Sequence, residues 1–207
     1  MMIVDEKGSA AWVEEQFGAP VVQKFGRLQD LLEAENREQN LVAAATLSSV
    51  WRRHFVDSLQ LLSHVSRETS QTWLDLGSGA GFPGLAVAIA RPDITVTMIE
   101  PRRLRCEWLE RASSALELPN TYVICAKAQS VAPFPATVIS ARALAALPKI
   151  IAMARPFSTP DTIWVLPKGR KAEQEVAELP KKLRSMFHVE QSITDPDAGI
   201  VIGNLYR

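Results

Sequence analysis

The run Leu74-Asp75-Leu76-Gly77-Ser78-Gly79-Ala80-Gly81-Phe82-Pro83-Gly84 carries the densest chemical signal in the chain. Glycine reaches positive φ at little steric cost and lets a ligand approach the main chain closely. Glycines at this density weaken a fold unless something requires them. Asp75 stands two residues before the first glycine, where a carboxylate can hold an ammonium group or an ordered water. Glu100 lies about twenty residues beyond the loop, at the end of the next expected strand. A carboxylate there can accept hydrogen bonds from the two hydroxyls of a ribose. The alternative reading of Glu100 is a solvated acid at a strand end, and the glycine loop before it favours the ribose role.

Two ligand chemistries fit this spacing. Gly79, Gly81 and Gly84 satisfy the GxGxxG fingerprint of nicotinamide-nucleotide enzymes, so spacing alone does not decide. Three features favour the methyl donor S-adenosylmethionine (AdoMet). Asp75 sits in the strand end, Gly77, Gly79 and Gly81 make a wide loop suited to a sulfonium tail, and the chain is too short to add a domain for a hydride acceptor.

These residues need a scaffold that puts strand ends side by side. Leu74 to Leu76 read as a strand ending in glycines, with Pro83 suited to the first turn of a helix over 83–91. Alternation continues with a strand at 94–99, a helix at 102–117, a strand at 121–125, a strand at Val138-Ile139, a helix at 143–156, a strand at 162–166, a charged helix at 170–184, and strands at 187–193 and 200–206. Such alternation predicts an α/β fold with a mostly parallel sheet and helices on both faces. The linker Asp195 to Gly199 suits a hairpin, so one strand is expected to run antiparallel. The first seventy residues read as helices. Val21, Val22, Phe25, Leu28, Leu31 and Leu32 recur at helical spacing, and Val50, Phe55, Leu59 and Leu62 mark a second stretch with Ser48 or Ser49 as its N-cap. The expected division is therefore 1–70 as an N-terminal helical extension and 71–207 as the ligand-binding domain.

Lys and Arg balance Asp and Glu at 23 each, so a general polyanion binder is disfavoured, and any nucleic-acid contact must use a local basic face. Cys106 and Cys125 form no CxxC or Cys/His cluster. They read as reduced structural thiols in a cytoplasmic protein, without a metal site. No stretch reads as a signal peptide or a membrane span.

Asp75 to Gly84 resembles the AdoMet loop of the ribosomal small subunit methyltransferase G family, also called glucose-inhibited division protein B. Three further segments agree in order. They are Asn40-Leu41 with Arg53-His54-Phe55-Val56-Asp57-Ser58-Leu59, then Ser140-Ala141-Arg142-Ala143, then Leu166-Pro167-Lys168-Gly169. The resemblance implies a class I AdoMet-dependent methyltransferase fold of Rossmann-like type, with seven strands, one of them antiparallel. It implies methyl transfer to N7 of a guanine in the 530 loop of 16S rRNA, position 527 in the usual rRNA numbering. It also implies that Gly77, Ser78, Gly79, Gly81 and Phe82 contact AdoMet, that Glu100 holds the ribose, that Ala128 and Gln129 flank the adenine, and that Arg142 sits beside the methyl-transfer cleft. This sequence has Glu100-Pro101 where the family usually has Asp-Ser, which keeps the carboxylate.

Guanine N7 carries a lone pair and no proton, so such a reaction needs alignment and not a general base. On this reading Arg142 is the catalytic candidate and positions the base or a phosphate. RNA phosphates would meet Arg52, Arg53, His54, Arg102, Arg103, Arg105, Lys168, Arg170 and Lys171. Glu173, Glu175 and Glu178 interleave with the lysines, so Lys171 and beyond also read as a solvated helix face. The expected partner is 16S rRNA or a 30S subunit, with the protein a monomer. Competing readings are a methyltransferase acting on another RNA base or a small molecule, a nicotinamide oxidoreductase, and a catalytically idle RNA-binding assembly factor.

Overall fold

The computed structural model describes residues 2–67 and 72–206. Seven strands form one sheet in the order β3-β2-β1-β4-β5-β7-β6. β1 (Thr72–Leu76) lies at the centre, parallel to β2 (Thr95–Ile99) on one side and β4 (Ala136–Ser140) on the other. β3 (Thr121–Ile124) extends the sheet beyond β2, and β5 (Ser158–Gly169) extends it beyond β4. β6 (Phe187–Gln191) and β7 (Gly199–Gly203) form a hairpin, and β7 inserts antiparallel to both β5 and β6. The strand order reverses between β1 and β4, the position at which open parallel sheets place their ligands. In register, Asp75 faces Ser140 across that switch point.

The N-terminal segment shares the core of the sheet. α1 (Glu6–Phe17) starts at Asp5, whose carboxylate accepts from the Gly8 N–H at 2.6 Å. α2 (Ala19–Glu35) follows and buries Phe25, Leu28 and Leu32. These pack into one apolar cluster with Phe55, Trp73, Phe82, Leu85 and Trp108. A second cluster on the opposite face of the sheet holds Leu74, Ile139, Leu147, Ile151, Trp164 and Val201. The remaining helices are α4 (Gly84–Ala90), α5 (Arg103–Ala115), α6 (Leu147–Ala154), α7 (Ala172–Ala177) and α8 (Lys181–Arg184).

Three expectations are corrected. The stretch expected as one helix from about Ser48 to Leu62 is a mixed winding. It runs from a 3-10 segment (Ala44–Ser49) through a π turn (Trp51–Val56) and a short α3 (Asp57–Leu59) to a second 3-10 segment (Gln60–His64). Neither Ser48 nor Ser49 caps it. The Glu6 carboxylate from α1 instead receives the N–H groups of Trp51 (3.0 Å) and Arg52 (2.9 Å). The helix expected over 143–156 begins only at Leu147, because Ala143 adopts φ +51 and Ala146 is extended. The helix expected over 170–184 breaks into α7 and α8, since Pro180 cannot donate the next helical hydrogen bond.

Candidate functional site

The glycine loop leaves the carboxyl end of β1 as a tight, internally bonded turn. The Gly77 N–H donates to the Ile99 carbonyl at 2.8 Å, and the Gly81 N–H to Ser78 at 2.7 Å. Gly77, Gly79 and Gly81 all have positive φ. A Cβ on Gly81 would lie 2.4 Å from Leu85 Cδ1, and one on Gly77 2.6 Å from Leu144 Cδ1. Positive φ demands glycine at all three positions, and at Gly81 the Leu85 side chain adds a steric limit.

Asp75 is fully buried beneath the loop and serves as its strap. One carboxylate oxygen accepts from the Gly84 N–H at 3.2 Å, the other from the Ser140 hydroxyl at 2.8 Å. Ser140 in turn accepts from the Trp73 indole at 2.8 Å, while the Ser78 hydroxyl donates to the Asp75 carbonyl. Burial raises the Asp75 carboxyl to about 6, against the opposing pull of Ser140, Ser78, Gly84 and Arg142.

Glu100 closes β2 and is almost wholly buried. Its two oxygens accept from the Gly79 N–H (3.0 Å) and the Arg102 N–H (2.9 Å), which leaves a lone pair on each. Such a carboxylate can still accept from two vicinal hydroxyls. The Glu100 N–H donates to the Ile124 carbonyl, which brings the end of β3 beside it. The 3-10 turn Ala128–Ser130 follows that strand end, with Ala128 half-buried and Gln129 exposed. The Cys106 thiol donates to the Glu100 carbonyl at 3.0 Å, and burial above all pushes it up to about 12. That thiol is a structural partner of the acid and not a nucleophile.

Arg142 follows β4 and is held from three directions. Its guanidinium donates to the Arg53 carbonyl (3.1 Å), to an Asp57 carboxylate oxygen (3.5 Å) and to His54 Nδ1 (3.0 Å). It also lies 5.2 Å from the centroid of the Phe82 ring. The His54 ring stacks on Phe82 at 5.3 Å and 14°. His54 Nε2 meets the Thr46 hydroxyl at 2.9 Å, and that hydroxyl spends its proton on the Ala43 carbonyl at 2.7 Å. The network therefore assigns the proton to Nε2 and leaves Nδ1 as an acceptor for Arg142. Burial, reinforced by Arg142 and Arg53, lowers the His54 imidazole to about 3, so the ring is neutral in this setting.

Asp57 links this cluster to the β6–β7 hairpin. Its other carboxylate oxygen accepts from Gln60 Nε2 (2.9 Å) and the Thr194 hydroxyl (3.0 Å). Gln60 continues the link by accepting from the Ile193 N–H at 2.9 Å. A cavity of about 480 Å³ opens beside Arg142, between the mixed winding and this hairpin.

The structure thus brings Asp75, Gly77, Ser78, Gly79, Gly81, Phe82, Glu100 and Arg142 to one end of the sheet, with Arg53 and His54 against Arg142. The Arg105 side chain approaches Gly79, with a guanidinium nitrogen 3.3 Å from where a Cβ would stand. Arg102 and Arg103 are exposed at the start of α5, and Arg103 pairs with Glu107 at 2.8 Å. Lys168 stands apart from the other basic candidates. Its side chain is 7% exposed, and its ammonium is taken by Glu175 (2.9 Å) and the Ala145 carbonyl (2.6 Å). Arg170 is exposed and pairs with Asp197 at 2.9 Å. Thr46, Gln60, Thr194 and Glu6 complete the site but gave no sequence signal, because their partners lie far along the chain or depend on the π turn.

A family profile described as rRNA small subunit methyltransferase G matches residues 21–199. A ribosomal RNA small subunit methyltransferase G of Novosphingobium aromaticivorans is 52% identical, with the match covering 99% of this chain and 90% of that protein. One from Erythrobacter litoralis is 47% identical over 98% of this chain and 97% of that protein. Among solved structures, a SAM dependent methyltransferase from Aquifex aeolicus shares the fold, with a TM-score of 0.53 and 15% identity. That match covers 74% of this chain and 90% of that one.

Proposed function

This chain belongs to the rRNA small subunit methyltransferase G family, and on that premise we propose that it transfers the methyl group of AdoMet to N7 of a guanine in the 530 loop of 16S rRNA. The observation that carries this reading is the seat of Arg142. A charged side chain is fixed by His54, Asp57 and the Arg53 carbonyl between Phe82 of the glycine loop and an open cavity. That is the arrangement required by a reaction whose rate comes from alignment.

The residues present fit AdoMet. The glycine loop offers backbone that no side chain could replace, and Glu100 keeps acceptor capacity for ribose hydroxyls. AdoMet, when bound, supplies a methyl group on a positively charged sulfur. Asp75 contributes by bracing the loop against β4, and its buried charge favours a cationic neighbour. Arg142 orients the base or an adjoining phosphate. No proton has to be removed from N7, and the two basic groups beside Arg142, His54 and Asp57, are engaged in holding its guanidinium. On this reading Ala128 and Gln129 flank the adenine, and Arg53, Arg102, Arg103, Arg105 and Arg170 form the basic rim for phosphates. Residues 1–70 form the extension that supplies His54 and Asp57, and 71–207 the AdoMet-binding domain. We assign action on the 30S particle or naked 16S rRNA to a monomer working in the cytoplasm. No helix among the described residues is long and apolar enough to cross a membrane.

The test is methyl transfer from labelled AdoMet to 30S subunits from a strain lacking this gene, with the product nucleotide mapped by mass spectrometry. Label in 7-methylguanosine at the 530 loop is expected. Label at another base, or none on 30S particles, naked 16S rRNA and assembly intermediates, would overturn the assignment. A thermal shift with NADP and none with AdoMet would favour the oxidoreductase instead.

A further inference from the structure

The cavity beside Arg142 contains a carboxylate that the reading above leaves without a task. Arg142 and Ala143 form its wall towards the glycine loop, and the β6–β7 hairpin forms the opposite wall with Thr194 and Asp195. Its volume of about 480 Å³ lies in the range of small-molecule sites, roughly 300–1,000 Å³. Enzymes that modify a base in a folded nucleic acid extrude it into such a pocket and read its Watson–Crick edge there.

Two carboxylates line the cavity, and their lone pairs are unequally spent. Asp57 is committed on both oxygens, to Gln60 and Thr194 on one and to Arg142 on the other. Asp195 uses one oxygen for the Asp197 N–H at 3.0 Å. Among the described residues its other oxygen meets only Arg53, at 3.8 Å, and its side chain is 29% exposed. Asp195 therefore presents an acceptor-rich edge to the cavity, fixed by the turn that joins β6 to β7.

We infer that this cavity seats the target base and that Asp195 selects guanine by accepting from its N1–H and 2-amino group. This rests on the reading of the chain as a guanine methyltransferase. Guanine alone among the four bases offers two adjacent donors on that edge. Adenine presents an acceptor at N1 and is repelled by a carboxylate. The N7 edge of guanine lies across the purine from N1 and the 2-amino group. A base held at the hairpin by that edge turns N7 towards Arg142 and the glycine loop. Arg53, half-exposed at the same wall, is placed to meet the attached phosphate.

The test is amide and Arg side-chain NMR on the full-length protein with S-adenosylhomocysteine, titrated with guanosine, inosine or adenosine 5′-monophosphate. Guanosine monophosphate at millimolar concentration is expected to shift resonances of 192–199 and Arg142, in preference to inosine and then adenosine monophosphate. Asp195→Asn keeps the shape and the turn contact and should cut the guanine-over-adenine preference by on the order of tenfold. Asp93→Asn, which lies before β2 and pairs with Arg91 away from the cavity, should not change it. Shifts that map elsewhere, no shift, equal response to guanine and adenine, or an Asp195→Asn variant with its preference intact would each overturn the inference. Methyl transfer to 16S rRNA without this binding pattern would fell the pocket alone. The pattern without methyl transfer would fell the reading of the reaction.

Discussion

Replacing His54 by phenylalanine separates the two jobs that the ring performs for Arg142. The aromatic stack on Phe82 survives, while the acceptor at Nδ1 and the donor to Thr46 are lost. The pH dependence of folding then reports whether the native ring is neutral. With a folded value of about 3 against 6.5 unfolded, the native state declines a proton that the unfolded chain takes up below about pH 6.5, so stability falls with pH. Between about pH 7 and pH 5 this costs about 1.9 kcal/mol. Asp75 works in the opposite direction. Its folded value of about 6 against 3.8 makes the native state the better proton binder, which adds about 1.3 kcal/mol over the same interval. The wild type should lose about 0.6 kcal/mol from these two groups, and His54→Phe should gain about 1.3 kcal/mol. Urea unfolding at both pH values gives the double difference, in which every other titrating group cancels. A difference of about 2 kcal/mol is expected. A value within about 0.5 kcal/mol of zero would mean that the folded ring protonates freely, and the neutral-acceptor argument would fail. In methyl transfer, loss of a hydrogen bond to a charged group, about 1.5–3 kcal/mol, should lower kcat by roughly ten- to a hundredfold with little change in AdoMet affinity. An unchanged kcat would show that Arg142 does not need His54.

Four further outcomes follow from the same geometry. Glu100→Gln should weaken AdoMet binding by about tenfold or more, read by calorimetry, because the amide gives up acceptor sites now shared by Gly79 and Arg102. Unchanged affinity would remove Glu100 from the ribose site. Gly81→Ala puts a Cβ against Leu85 at φ +99 and should cost more than about 2 kcal/mol in denaturant unfolding, a cost that a neutral result would refute. Lys168→Ala should destabilise the protein by about 2–3 kcal/mol through the uncompensated Glu175, yet leave the salt dependence of RNA binding unchanged. Arg53→Ala should instead reduce the slope of log K against log salt by about one, and the reverse pattern would refute the placement of both.

The parts of the site that were legible in the sequence are those whose chemistry is local. Gly77 to Gly84 announces a turn because positive φ is a property of single residues, and Glu100 follows at a spacing set by one strand–helix–strand unit. The alternation of elements likewise gave the parallel sheet and the antiparallel hairpin strand. The methyltransferase family itself came from four segments in order, spread over most of the chain. What periodicity misplaced were helix boundaries, where Pro180 and the left-handed Ala143 override an apolar pattern that runs through them.

The fate of individual charges was not legible, because it is decided by contacts across the fold. Lys168 and Arg53 look alike as sequence symbols, yet Glu175 takes the first out of reach of a phosphate and the second stays half-exposed. His54 shows the same dependence. A histidine two residues after Arg52 could titrate, bind a phosphate or pack. Only the π turn, anchored by Glu6 from α1, aims its Nδ1 at Arg142 while Thr46 fixes the proton on the other nitrogen. An i→i+5 turn inserts one residue relative to the α pattern and rotates everything after it. On this turn the Arg53 carbonyl, His54 Nδ1 and the Asp57 carboxylate all reach a single guanidinium. On the proposed reading, the N-terminal helices therefore contribute to the reaction centre, because Glu6 of α1 holds the turn that presents Arg53, His54 and Asp57 to Arg142.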